Sequence, residues 1–123
     1  METLEQLQHA TSAIAQEKLH TGDVVAITEH GIAGRAIAQG EVISDIGFVT
    51  HDAEPGEAIA ILKQGLLDGF SGLIAGANYF LDPYMPGHIT TIVPTFRDEC
   101  IVYVGKAMSD TQLLVDIHRP IRL

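Results

Sequence analysis

The 123-residue sequence has no tryptophan, one cysteine and only seven Lys and Arg against sixteen Asp and Glu. Each shortage excludes something. A single cysteine, Cys100, rules out a disulfide within the chain and fits synthesis in a reducing cytoplasm. A formal charge of 7 − 16 = −9 opposes binding to phosphate backbones and anionic lipid, so neither nucleic acid nor membrane is an expected partner. An aromatic share of 6% leaves Ala, Ile, Val and Gly to build the interior, which suits thin, closely packed sheets better than a wide cofactor pocket. The uncharged runs at 69–81 and 83–96 are broken by Gly and Pro and are too short to span a bilayer as a helix. The opening METLEQLQHA lacks a basic region and an apolar core, so it does not read as a signal peptide.

What is present divides into two textures. Residues 1–20 contain no Gly or Pro and are rich in Ala, Gln, Glu and Leu. Leu4, Leu7, Thr11 and Ile14 fall at spacings of three and four, a partial heptad that predicts a short N-terminal helix or an extended arm. Residues 10–18 read equally well as a strand leading into the Gly22-Asp23 turn. From about residue 21 to 123 the chain becomes short apolar runs bounded by turn residues, the pattern of an all-β domain, a small β-sandwich or barrel-like fold. Strands are expected at 23–28, 35–38, 42–50, 57–64, 66–70, 78–81, 89–92, 101–107 and 113–118. Gly47, inside the third of these, marks a bulge or a close backbone approach. The 51–56 stretch HDAEPG is a strong turn. In the last strand Leu113, Val115 and Ile117 share one face, and Leu114, Asp116 and His118 the other.

Chemistry-bearing groups are scattered. The six histidines show no H-x-H or H-x₃-H pairing. Cys100 follows Asp98 and Glu99, neighbours that disfavour a thiolate, so it reads as a structural, partly buried residue. No serine sits in a G-x-S-x-G context, and the glycines form no phosphate-cradling loop. The acidic pairs Asp52/Glu54 and Asp98/Glu99 lie in predicted turns, where carboxylates cap and face solvent. No catalytic residue, cofactor or metal is assigned. The loop Pro83-Tyr84-Met85-Pro86 is different: it sets two large side chains in a turn, where they either form a contact surface or fold back over the end of the barrel.

The order of segments resembles a module of bacteriophage virion proteins, found in head decoration (cement) proteins, head fibres and tail fibres. The matching residues are Thr21-Gly22-Asp23-Val24-Val25, Ala36-Ile37-Ala38, Ile46-Gly47-Phe48-Val49 and the 52–57 segment. They continue with 73–81, 86–90, Pro94-Thr95, 104–109 and 120–123. Together these cover most of the chain from about residue 10. The resemblance implies a non-enzymatic structural protein of the virion, made in the host cytoplasm and assembled as a homotrimer on the major capsid protein. A tail-fibre, baseplate or receptor-binding part is the alternative. The length, one module and a short N-terminal segment, favours the capsid surface. The FRDEC stretch at 96–100 departs from the module, which usually has a short Gly-containing turn there. Contacts with other subunits or the capsid are therefore expected at Leu4, Leu7, Ile14, Tyr84, Met85, Phe96 and Arg97.

Overall fold

The structure, a computed structural model, describes residues 9–39 and 45–123. These residues form eleven β-strands and no helix. The first five strands are β1 (His9–Ala15), β2 (Val24–Ile27), β3 (Ile32–Arg35), β4 (Ile46–Val49) and β5 (Ala58–Leu67). They pair in the order β1-β3-β2-β4-β5, and β5 pairs back with β1, so the five close into a small barrel. Closure removes sheet edges from this half of the molecule.

The ten-residue strand β5 outruns the barrel. Its second half leaves β4 behind and pairs with β10 (Leu113–Asp116), through Leu67↔Leu113 and Leu66↔Leu114. From there the sheet continues through β9 (Tyr103–Ala107) and β6 (Asn78–Leu81) to a short end strand, β7 (Ile89–Thr90). A separate two-stranded ribbon joins β8 (Cys100–Ile101) to β11 (Ile121–Arg122). The fold is an all-β domain, a closed small barrel extended by further strands.

Two hydrophobic clusters explain the sequence texture. Val25, Val49, Ile59 and Ile61 fill the barrel with Ala13, Ala15, Leu19 and Ala33. Val24, Phe48 and Leu62 face outward into a second core, shared with Leu81, Val104, Leu113 and Val115 of the outer sheet. Neighbouring residues of β2 and β4 thus serve opposite cores. That is why Ile46-Gly47-Phe48-Val49 is a continuous apolar run rather than an alternating one. By contrast β10 has one buried face, with Leu113 and Val115 in and Leu114 and Asp116 out, as its alternation predicts.

Several expectations need adjustment. The strand reading of residues 10–18 is the one the structure has: His9–Ala15 is the barrel strand that closes the ring, with Ala13 and Ala15 inside, so this part of the 1–20 segment belongs to the β domain rather than to a separate arm. Its small alternating Ala residues fit a narrow barrel interior, and Leu19, fully buried, extends that core past the strand end. The rest of the helix expectation, including Leu4 and Leu7, lies outside the described residues. The strand expected at 35–38 is instead Ile32–Arg35. The two expected at 57–64 and 66–70 are one strand, because β5 passes through Gly65 without breaking its pairing to β10. The final ribbon strand β11 carried no clear sequence signal.

Arg35 pins the β1–β2 connection to the barrel. Its guanidinium reaches Glu17 at 2.6 Å, the Lys18 carbonyl at 2.6 Å and Asp23 at 3.4 Å. Two carboxylates and a carbonyl on one guanidinium make a geometrically specific anchor.

Candidate functional site

The most distinctive surface lies where β6, β7 and β8 are connected. After β6 the chain turns at Asp82, whose Oδ1 accepts the backbone N–H groups of Tyr84 at 2.7 Å and Met85 at 3.1 Å. This Asx-type turn satisfies two loop donors locally and leaves both side chains pointing outward. The Pro83 carbonyl accepts a hydrogen bond from Gln39 Nε2, fixing the loop to the 38–39 segment. Tyr84 and Met85 are exposed, so they form a surface rather than folding back over the barrel end.

The second wall comes from residues 91–99. Glu99 is buried, with only 4% of its surface exposed. Its Oε1 accepts the backbone N–H groups of Thr95 and Phe96, both at 3.1 Å. Its Oε2 accepts the Tyr84 hydroxyl. One carboxylate therefore holds the turn on one side and the Tyr84 loop on the other. The phenol is pushed above its ordinary range, first because its hydrogen bond to Glu99 favours the protonated form. Sequence reasoning read Glu99 as a solvent-facing turn carboxylate. It does cap a turn, but it is buried, and the chain following β11 lies against it: Leu123 N–H donates to the Glu99 carbonyl at 3.0 Å.

Between the two walls lies a groove of about 230 Å³ with an apolar lining. Tyr84, Phe96, Pro83, Ile92, Val93 and Pro94 supply its apolar lining. The exposure of its apolar groups is high: 61% for Tyr84, 66% for Phe96 and 75% for Ile92. Its charged groups, Asp82 and Glu99, are both acidic. Clustered exposure of large apolar side chains marks a contact surface rather than ordinary scatter.

Of the contact residues expected from sequence, Tyr84 and Phe96 are brought together here. Met85 is exposed on the same loop but does not line the groove. Arg97 is exposed on the following turn, also outside the lining. Ile14 is elsewhere, half-exposed on the outer face of β1 beside Ile32 and Ala58. Leu4 and Leu7 lie outside the described residues. Sequence reasoning missed Ile92 and Val93, which resemble the core of a β-branched strand; β7 ends at Thr90 and releases them to the surface.

Cys100 is buried, and burial pushes its thiol up. Among the described residues no three His, Cys, Asp or Glu side chains are grouped to hold a metal ion. No protein-family model matches the chain, and comparison with curated proteins finds no match.

Proposed function

We propose that the chain is a structural protein of a bacteriophage virion, a capsid decoration (cement) or head-fibre protein that binds the capsid surface as a homotrimer. The reading rests on the ordered series of segments that resembles the phage module. The observation that carries it furthest is the exposed apolar groove, whose two loops are joined through Glu99. A surface with three large exposed apolar groups on a rigid frame suits permanent assembly, where it is covered, better than a life as an isolated soluble molecule. A cement protein acts by adding buried area between neighbouring capsid subunits, where genome pressure pulls the shell apart. The acidic surface suits the outside of a shell, away from packaged DNA. The segment before β1, carrying Leu4 and Leu7, is the natural bridging element to the major capsid protein.

Quantitative mass spectrometry of purified particles tests this reading. Copies comparable in number to the major capsid protein support it. A handful of copies per particle assigns the chain to the tail-fibre, baseplate or receptor-binding alternative, and its absence from particles overturns both.

A further inference from the structure

A cyclic trimer cannot be built from one self-complementary patch. Threefold symmetry needs a heterologous contact, in which one surface of a copy meets a different surface of the next. The structure carries two such surfaces. One is the acidic, apolar groove beside β7. The other is the C-terminal strand β11, where Ile121 is 58% and Leu123 40% exposed.

Both surfaces also end in strand edges, that of β7 open only beyond Gly87, whose own N–H and carbonyl pair with Ala36 and Val24. β7 is the terminal strand of the large sheet. Asp82 N–H donates to the His88 carbonyl at 2.9 Å, and the pairing continues through Leu81↔Ile89 and Phe80↔Thr90. In an antiparallel ladder the hydrogen-bonding groups alternate direction, so those of Ile89 and Thr91 point away from β6. β11 is likewise a terminal strand. Leu123 N–H donates to Glu99, and Arg122 is opposite Cys100, which turns the Arg122 backbone groups away from β8. Exposed edges of this kind invite another strand.

Charge distinguishes this pairing from others. Identical chains of net charge −9 repel unless a contact joins acid to base. Lys18, Arg35 and Lys63 are already engaged with carboxylates of their own chain. Among the described residues Arg97, Lys106, Arg119 and Arg122 make no ion pair, and two of these four belong to the C-terminal segment. The groove contributes Asp82; Glu99 also lines it but is buried, with both carboxylate oxygens already accepting hydrogen bonds.

We propose that the β11 segment of one copy lies along β7 of the next, with Ile121 and Leu123 in the groove between Tyr84 and Phe96, and Arg119 toward its acidic rim. The inference rests on the homotrimer reading and specifies its contact. Repeated three times, the head-to-tail contact closes a ring and covers both apolar surfaces.

The test uses the purified full chain. Sedimentation equilibrium at micromolar concentration is expected to give three times the 13.2 kDa chain mass. Phe96→Asp and Arg119→Glu, both at exposed positions, are each expected to weaken the trimer at least tenfold while the far-ultraviolet circular dichroism stays unchanged. In a Cys100→Ala background, Val93→Cys combined with Leu123→Cys is expected to yield covalent trimers under oxidation, which decides the matter if a charged variant misfolds. A wild-type trimer that ignores both charged substitutions and never cross-links would overturn this contact and leave the trimer reading standing. A wild-type monomer overturns both.

Discussion

The Tyr84 hydroxyl donates a hydrogen bond to the buried Glu99 carboxylate, joining two loops fifteen residues apart in sequence. This bond ties the two walls of the groove directly to each other. Removing the acceptor is therefore predicted to do more than remove one contact. Glu99→Ala leaves the phenol and the Thr95 and Phe96 N–H groups without their partner. Loss of a buried acceptor with several donors is expected to cost about 2 kcal/mol, read as a lower urea midpoint at unchanged slope. Glu99→Gln keeps a carbonyl oxygen and is expected to fall between wild type and alanine. Equal stability of all three would show that the carboxylate does not hold the turn.

The same bond predicts a pH dependence. Tyr84 has its pKa raised above 10.0 by the hydrogen bond to Glu99, then by desolvation. A raised pKa means the folded state favours the protonated form. The stabilisation is therefore complete below the ordinary tyrosine pKa and is lost as pH rises through the folded one. Near-ultraviolet titration is expected to show delayed phenolate formation in the wild type. Tyr103 is also raised, chiefly by burial, so Tyr103 still titrates late in Tyr84→Phe. An unaltered titration in that variant would contradict the assignment.

Asp98 occupies the left-handed region with φ of 73°, the single described non-glycine residue to do so. It sits in the FRDEC stretch at 96–100. Asp tolerates this conformation better than most residues, yet glycine adopts it without a Cβ penalty. Asp98→Gly is expected to raise stability by about 0.5 kcal/mol in denaturant titration, and Asp98→Val to lower it. A destabilising glycine would mean that the Asp98 side chain contributes something beyond the turn.

Two strand glycines mark close approach of neighbouring chain segments. A Cβ on Gly105 would lie 2.5 Å from the Leu114 carbonyl oxygen, and one on Gly47 would lie 2.2 Å from Ile61 Cγ2. The first obstacle is backbone within the β9–β10 ladder and has no rotamer to change. Gly105→Ala is predicted to cost about 2 to 3 kcal/mol, with Gly47→Ala in the same range because Ile61 is locked in the barrel. Thermal melts of the two variants check this; near-wild-type midpoints would mean that the strands can separate freely.

These positions show how far the sequence could be read. Gly47 announced a bulge or a close approach, and the close approach is what the structure has. The β10 alternation announced its one buried face. β1 was harder, because its helix-forming composition and small alanines are also what a narrow barrel interior requires; only the pairing to β3 and β5 decides between them. Ile92 and Val93 resemble core residues by type, and nothing local says that β7 stops two residues earlier. Glu99 looks like any turn carboxylate until β11 returns from the far end of the chain to bury the turn. Tyr84 and Met85 could be read from sequence either as a contact surface or as a cover over the barrel end, and Phe96 stood out only because FRDEC departs from the resembled module; their exposure is a tertiary fact. Their gathering around one groove depends on a carboxylate whose role is tertiary.

The central claim, a trimeric component of the capsid surface, is tested most directly by electron cryomicroscopy of particles carrying the chain. The account predicts threefold density on the outer face of the capsid that fits three copies of this domain, repeated across the shell. Density for the domain confined to the tail, or particles whose capsid surface lacks it, would contradict the account.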